Sequence, residues 1–149
     1  MTNEPVIIER TFDAPIDKVW KALTNKNLMK EWYFNLAEFK PVAGFEFSFE
    51  GGPLGKSYIH LCRITKVESF KTLAYTWKYK DYEGESLVTF ELFAGGNNKT
   101  RLKLTHEGLE TFPQNNPDLA KHNFVEGWTD AIGRSLKEFL EKTNQIQRA

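Results

Sequence analysis

The residues whose types could support acid–base chemistry are His106 and Glu107, which are adjacent in the chain. A histidine titrates near neutral pH and a carboxylate can accept a proton, so such a pair could serve one substrate. Both residues lie in a stretch with the alternation of a β-strand, where neighbouring side chains point to opposite faces of the sheet. They therefore cannot act together. His106 shares the apolar face with Leu102 and Leu104, which predicts a hydrogen-bonded core histidine, and we predict no catalytic residue.

The candidate metal ligands are the three histidines and the single cysteine, namely His60, Cys62, His106 and His122. His60 and Cys62 could share one strand face, but no second pair of ligands stands at the spacing of a zinc site. The glycine-rich segment 51–55 lacks the Lys-Ser or Lys-Thr that opens a helix after a phosphate-binding loop. No nucleophile elbow or dinucleotide fingerprint is present. The sequence therefore predicts neither a metal nor a cofactor.

Aromatic residues are the unusual feature of the composition, with 12 Phe, 5 Tyr and 4 Trp. Many fall at inward-facing positions, and large rings on a curved sheet facing one helix seldom fill the space between them completely. We predict that a cavity for a small apolar or amphipathic ligand is lined by Trp20, Trp32, Phe47, Tyr75, Trp77, Phe90, Leu104, His106, Phe124, Trp128 and Ala131.

Small residues accompany the rings on the last helix, at Gly127, Ala131 and Ser135. Such a stripe permits either a close approach of the backbone or an open pocket, so a solid core of rings remains the alternative to a cavity. Tyrosine hydroxyls could orient a ligand at the cavity wall, or could find partners within the core as buried hydroxyls usually do. The residues concerned are Tyr58, Tyr75 and Tyr79.

The elements that must position these residues follow from the spacing of apolar side chains. Strands are predicted at residues 6–12, 45–49, 58–67, 73–79, 88–92 and 102–106, with a bulge or bend in the third and a hairpin turn at 95–98. Two short helices are predicted after the first strand, one from Pro15 to a stop at Asn25 and one over 28–33 that places Leu28 and Trp32 on one face.

The final segment is predicted to form an amphipathic helix of about 25 residues that starts at Asn116 and Pro117. Its apolar positions recur every three or four residues at Phe124, Trp128, Ile132, Leu136 and Phe139. Its other side pairs Asp130 with Arg134 and Lys137 with Glu141 at i,i+4 spacing. The order of elements predicts an α+β domain over 1–149, with a core at about 6–142, in which this helix covers one face of an antiparallel sheet of roughly six or seven strands.

Charge and composition exclude several classes of function. Lys plus Arg and Asp plus Glu both total 20, so no basic surface is available for nucleic acid. No apolar run approaches the roughly 18 residues of a membrane span. The N-terminal residues do not resemble a signal peptide, and the single Cys62 cannot form an internal disulfide, so we expect a cytoplasmic location. Exposed strand edges could support a homodimer.

Four segments together resemble a known family. They are APIDKVWKALT at 14–24, LMKEW at 28–32, LTHEGL at 104–109, and the closing helix from GWTDAIGRSL at 127–136 to Leu140 and Glu141. Their order and spacing are similar to the activator of heat-shock protein 90 ATPase homologue-1-like domains, within the START-like (SRPBCC, Bet v 1-like) superfamily. The resemblance covers roughly residues 6–142, and it implies a helix-grip fold: a curved antiparallel sheet around a long C-terminal helix, with a hydrophobic cavity between them.

Three hypotheses for function follow. The first is a protein that binds a hydrophobic or amphipathic small molecule, which predicts a cavity of several hundred cubic ångströms. The second is a protein-interaction module that acts on a chaperone or another partner, which predicts a filled core and an exposed apolar patch. The third, a cyclase or hydratase, requires ionisable groups that converge inside the cavity, with Tyr75, Tyr79 and His106 as candidates. We favour the first and rank the enzyme last.

Overall fold

The computed structural model describes residues 4–34, 36–51 and 57–148, with side chains described up to residue 142. The predicted turn at 51–55 lies largely outside the described residues. The strands are β1 (Val6–Phe12), β2 (Glu46–Gly51), β3 (Tyr58–Glu68), β4 (Thr72–Tyr79), β5 (Ser86–Ala94) and β6 (Thr100–Glu107). The α-helices are α1 (Ile16–Thr24), α2 (Lys26–Trp32), α3 (Lys121–Asp130) and α4 (Lys137–Arg148).

Within the described residues, six strands form one antiparallel sheet in the order β1-β6-β5-β4-β3-β2. The sheet curves around the C-terminal helix, as the α+β and helix-grip predictions require. Burial alternates along the strands, most regularly in β5 and β6, so one face carries the core and the other faces solvent. The concave face therefore presents one row of large side chains to the helix.

The predicted bend and hairpin are both present. The pairing of β3 with β4 shifts register between Ile64 and Lys66, which is the expected irregularity. The β5–β6 connection has Gly96, Asn97 and Asn98 at φ values of 76°, 51° and 60°. Glycine and asparagine adopt this left-handed backbone at low cost, which explains why the chain reverses there.

The short helices agree with the sequence pattern except on one face. Helix α1 ends at the predicted stop, and the Asn25 side chain accepts hydrogen bonds from the N–H groups of Asn27 and Leu28 to begin α2. Met29 and Trp32 are the buried residues of α2, whereas Leu28, predicted to share the buried face with Trp32, is only partly buried. Met29 and Trp32 are three residues apart in a helix that starts at Lys26, so their side chains lie on the same face of that helix.

The long helix begins later than predicted. Pro117–Leu119 forms a separate 3₁₀ turn, and Ala120 is extended at φ −72° and ψ 149° before α3 starts at Lys121. The turn closes on itself because Asn116 accepts from the Asp118 N–H at 3.0 Å and the Asn123 amide donates to the Pro117 carbonyl at 2.7 Å. These side-chain bonds satisfy an N–H group and a carbonyl group that would form backbone hydrogen bonds if the helix continued through this segment.

Helices α3 and α4 are joined without a break by a π-helical segment, Ala131–Leu136. The buried residues of the combined helix are four apart, at Phe124, Trp128, Ile132, Leu136 and Leu140. An α-helix has about 3.6 residues per turn, so a four-residue spacing would drift around it by roughly 40° per step. The wider π turns reverse that drift, which keeps the row facing the sheet. The predicted ion pairs Asp130–Arg134 and Lys137–Glu141 both form on the opposite side.

Candidate functional site

A pocket of about 590 Å³ lies between the C-terminal helix, the segment that follows α2, and strands β3 and β4. Its volume falls within the range of roughly 300–1,000 Å³ that small-molecule sites occupy. Aromatic rings form most of the wall, and polar residues of the helix and of the preceding 3₁₀ turn form the rim. The lining comprises Trp32, Tyr33, Phe34, His60, Trp77, Tyr79, Asp118, Asn123, Phe124, Glu126, Gly127, Trp128, Asp130, Ala131 and Ser135.

The sheet side of the pocket follows from strand register. Trp77 and Tyr79 are two residues apart on β4, so their rings share the concave face. His60 on β3 pairs with Tyr79, and its ring lies 4.9 Å from that of Trp77. Phe49 of β2 pairs with His60 in turn and stacks on it at 4.4 Å, with 15° between the rings. The rings thus form one continuous aromatic surface across three strands, of which His60, Trp77 and Tyr79 line the pocket and Phe49 lies beside it.

The helix side combines large rings with small residues. Phe124 and Trp128 are buried, while Gly127, Ala131 and Ser135 line the pocket beside them. A Cβ atom placed on Gly127 would meet no atom within 4 Å. Gly127 is exposed and does not serve a close approach of the backbone, and together with Ala131 and Ser135 it forms part of the pocket lining.

The segment after α2 closes one end of the pocket. The ring of Tyr33 stacks on Trp32 at 4.9 Å and on Trp128 at 6.0 Å. Its hydroxyl lies 2.7 Å from the hydroxyl of Tyr75. Burial raises the pKa of both phenols well above their ordinary value, so both stay protonated. One hydroxyl must donate to the other, which leaves one O–H proton of the pair for another acceptor.

The indole N–H groups of the three lining tryptophans are all bonded. Trp32 donates to the Ala22 carbonyl at 2.8 Å, Trp77 donates to the Tyr79 hydroxyl at 2.9 Å, and Trp128 donates to Nδ1 of His106 at 2.9 Å. Each ring is therefore held by packing on its faces and by a hydrogen bond at its edge. Because Tyr79 accepts from Trp77, its own proton is available to an acceptor in the pocket.

His106 lies at the centre of a buried hydrogen-bonded chain, as predicted for a core histidine. An indole N–H can only donate, so Nδ1 of His106 is the acceptor and Nε2 carries the proton. Nε2 then donates to the Ser86 hydroxyl at 2.7 Å, and Ser86 donates to the Trp77 carbonyl at 2.8 Å. Burial lowers the pKa of His106 to about 3, so the ring is neutral at pH 7.

This arrangement has a chemical consequence for Ser86. A serine beside a histidine resembles a nucleophile with its general base, but a base must offer a free lone pair to the hydroxyl proton. The nitrogen of His106 that faces Ser86 already carries a hydrogen, and the other nitrogen is occupied by Trp128. The bond from Trp128 to His106 therefore joins the helix to the sheet, and His106 does not activate the Ser86 hydroxyl.

The structure separates the predicted cavity residues into two groups. Trp32, Trp77, Phe124, Trp128 and Ala131 line the pocket. The others are buried in the core outside its lining, namely Trp20, Phe47, Tyr75, Phe90, Leu104 and His106.

The core group includes residues that support the lining from behind. Phe47 packs edge-on against Tyr75 at 5.1 Å, and Phe90 packs edge-on against Trp128 at 6.0 Å. Trp20 lies elsewhere, against the exposed ring of Phe70 at 6.2 Å. A role in ligand binding remains a prediction for all of the residues of both groups.

Sequence reasoning missed Tyr33, Phe34 and His60 as pocket residues. Tyr33 is the last residue of the predicted second helix and Phe34 follows it without any periodicity, so no pattern indicated the direction of their side chains. The sequence pattern indicated His60 only as a candidate metal ligand beside Cys62, and both residues lie on the buried face of β3. Its partners are rings, and burial lowers its pKa to about 4, so it too is neutral at pH 7.

The charged residues of the lining are all acidic. Asp118 accepts a hydrogen bond from the Tyr58 hydroxyl at 2.6 Å, Asp130 forms a bidentate pair with Arg134, and Glu126 is exposed. The bond to Asp118 raises the pKa of Tyr58. The Tyr58 hydroxyl, predicted to lie at the cavity wall, thus forms its hydrogen bond with a residue of the rim.

The described residues bear on three further possibilities: metal ligation, thiol chemistry and insertion into a membrane. The described side chains include no group of three or more His, Cys, Asp or Glu residues that could hold a metal ion. Burial raises the pKa of the Cys62 thiol, so the thiol stays protonated and weakly nucleophilic. Within the described ranges, no helix is long and apolar enough to cross a membrane.

A curved antiparallel sheet closed by a long C-terminal helix, with a ring-lined pocket between them, defines a START-like helix-grip domain. The profile of one family within that class, described as "Activator of Hsp90 ATPase homolog 1-like protein", matches residues 13–141. The chain belongs to this family, which confirms the resemblance found in the sequence.

Solved structures share the fold. Protein MLL2253 from Mesorhizobium loti is 29% identical, with a TM-score of 0.76, and the match covers 94% of this chain and 98% of that chain. Protein CV1439 from Chromobacterium violaceum is 17% identical, with a TM-score of 0.76 and coverage of 94% and 99%. Protein BH1534 from Bacillus halodurans is 24% identical, with a TM-score of 0.71 and coverage of 91% and 96%. No curated protein matches the sequence.

Proposed function

We propose that this protein binds a hydrophobic or amphipathic small molecule in the pocket between the sheet and the C-terminal helix. The observation that carries the proposal is the pocket of about 590 Å³, whose wall is aromatic and whose helix side carries the small residues Gly127, Ala131 and Ser135. The aromatic wall offers a ligand the apolar contact area that dominates binding to such sites.

The polar features of the pocket suit a ligand with limited hydrogen-bonding capacity. The Tyr79 hydroxyl and the Tyr33–Tyr75 pair each retain one proton for an acceptor.

We place the protein in a reducing cytoplasm, because its single thiol is buried and unpaired.

The test is to fill the pocket without weakening the fold. In Gly127→Leu, the new side chain would occupy the space in front of the helix, and leucine is a better helix former than glycine by roughly 0.8–1 kcal/mol. We expect the affinity for an apolar fluorescent probe such as N-phenyl-1-naphthylamine to fall by about tenfold or more, which corresponds to about 1.4 kcal/mol. The free energy of unfolding should stay the same or rise.

Thr129→Leu is the matched control, because Thr129 is exposed and lies outside the pocket lining. It adds similar apolar volume to the same helix and should leave probe binding unchanged. If Gly127→Leu bound the probe as tightly as the unmodified protein, the pocket would not be the binding site.

A second candidate is interaction with an Hsp90-type chaperone, which the description of the family favours. Against it, the exposed apolar side chains are distributed over many elements, and the exposed ring of Phe93 is covered by the Arg101 guanidinium at 4.3 Å. The ATPase rate of a purified Hsp90, measured with and without this protein, distinguishes the two. Stimulation that persists in Gly127→Leu would assign the activity to a surface other than the pocket.

A further inference from the structure

The mouth of the pocket has a charge that the whole chain lacks. Although basic and acidic residues balance at 20 each, the charged residues among the described lining are Asp118, Glu126 and Asp130. Arg134 offsets one of these charges through its bidentate bond to Asp130, at 2.6 and 2.9 Å. A cleft lined by charges of one sign attracts the opposite sign and repels its own. The mouth is therefore a poor place for an anionic group.

The interior adds no compensating positive charge. His60 is the one lining histidine among the described residues, and it is neutral at pH 7 because burial lowers its pKa to about 4. The other hydrogen-bond donors of the interior are tyrosine hydroxyls, which carry no charge and therefore offer a ligand hydrogen bonds but no ion pair. A carboxylate or phosphate would thus lose its hydration without gaining an ion pair at either end of the pocket.

The carboxylates of the rim favour the opposite polarity. An ammonium group at the rim would lie among Asp118, Glu126 and Asp130, where like-signed carboxylates attract a cation. Of the residues at the rim, Glu126 is exposed and bears a charge that the described ion pairs do not neutralise.

We propose that the ligand of this pocket is an aromatic amphiphile whose polar end is cationic, an amine and not an acid, with its ring system against the aromatic wall and the amine among Asp118, Glu126 and Asp130. This inference rests on the proposed function. It adds the sign of the ligand's charge and the direction in which the ligand lies.

The experiment compares three ligands with the same apolar body: 4-(1-naphthyl)butylamine, 4-(1-naphthyl)butanol and 4-(1-naphthyl)butanoate. Isothermal titration calorimetry at low and at high salt measures their affinities for the full chain. We expect the amine to bind tightest and the carboxylate weakest, with roughly three- to tenfold between them at low salt. The difference in affinity between the amine and the carboxylate should decrease at high salt, because salt screens exposed charges.

Glu126→Gln tests the rim directly, since it removes one charge and keeps the shape of the side chain. It should weaken binding of the amine by roughly two- to fivefold and leave binding of the alcohol unchanged. Glu107→Gln is the control, because Glu107 is an exposed residue at the end of β6 outside the pocket lining. It should change neither affinity.

The outcomes separate the two proposals. If none of the three ligands binds, the proposed function itself fails. If all three bind with equal affinity, or the carboxylate binds tightest, the pocket binds ligands but the inference about charge is overturned. That inference is also overturned if Glu126→Gln weakens the amine and the alcohol to the same extent, because the residue would then act through shape.

Discussion

The buried chain from Trp128 through His106 to Ser86 makes the fold sensitive to acid in a way that can be calculated. In the folded protein, burial lowers the pKa of His106 to about 3, whereas an unfolded histidine titrates near 6.5. Between these values the unfolded chain binds a proton that the folded chain does not. Stability is therefore fully present above the unfolded pKa and is lost as the pH falls toward 3.

The magnitude follows from the separation of the two pKa values. Each pH unit below the unfolded pKa costs about 1.4 kcal/mol for one such group, so a change from pH 7.5 to pH 4.5 should cost roughly 2–3 kcal/mol through His106. His60, with its pKa lowered to about 4, should add a similar loss. Together these terms are comparable with a large part of the stability of an ordinary domain, which is about 5–15 kcal/mol.

The assay is urea unfolding at pH 7.5, 6.5, 5.5 and 4.5, in the unmodified protein and in His106→Gln. Carboxylates titrate in both proteins, so their contribution cancels in the difference between the two curves. We expect the variant to be less stable at pH 7.5 and its stability to fall less steeply below pH 6, by about 1.4 kcal/mol per pH unit. His122→Gln is the control, because it replaces an exposed histidine that lies outside the buried hydrogen-bonded chain.

The reasoning would be refuted by parallel curves for the unmodified protein and His106→Gln below pH 6. Parallel curves would mean that His106 takes up its proton in the folded state at the ordinary pH. The hydrogen-bonded chain would then have to contain a charged imidazole, which Trp128 and its donating N–H do not permit.

Two further predictions concern single residues. Trp128→Phe should lower the free energy of unfolding in urea by about 1–3 kcal/mol, because it leaves Nδ1 of His106 without its donor while most of the apolar contact is kept. Trp128→Ala should lower it by about 3–5 kcal/mol and should also weaken probe binding. Gly84→Ala should destabilise by at least about 1 kcal/mol, since Gly84 has φ 100° and an added Cβ would lie 2.4 Å from the Thr111 carbonyl oxygen; an unchanged midpoint would show that this turn can relax.

The sheet and its order were largely predictable because alternation of apolar residues has one physical cause. Side chains on a strand with one buried face must alternate, so β4 and β6 could be recognised from a few residues each. The hairpin at 95–98 was recognisable because glycine and asparagine are the residues that tolerate a left-handed backbone. In these places the local chemistry and the global fold require the same residue.

The later start of the long helix could not be predicted from local signals. Asn116 and Pro117 form a good helix start, and they do begin a turn, but side-chain bonds from Asn123 end it after three residues. The π-helical segment was equally hidden. Apolar spacing of three or four is expected of any amphipathic helix, and only the position of the sheet determines which residues must remain in one row.

The candidate site was predictable in part. Ring-rich strands and a stripe of small residues indicated a pocket against Trp128, but which rings line it and which lie behind it depends on packing between elements. Tyr75 belongs to the second group because the Tyr33 hydroxyl lies against its own hydroxyl, and Phe47 packs against Tyr75. The Tyr33 segment has no periodic pattern, so its course depends on tertiary contacts alone.

Hydrogen bonds at the edges of Trp32, Trp77 and Trp128 have a consequence for selectivity. Rings that are anchored in this way cannot swing aside to accommodate an oversized guest without breaking a bond to a carbonyl, a phenol or an imidazole. Little conformational entropy remains to be lost there when a guest arrives, so affinity depends on how closely its outline matches the gap. For the proposed binding function, we therefore expect the pocket to discriminate between related ligands by shape, so that a single added methyl group can be enough to exclude one of them.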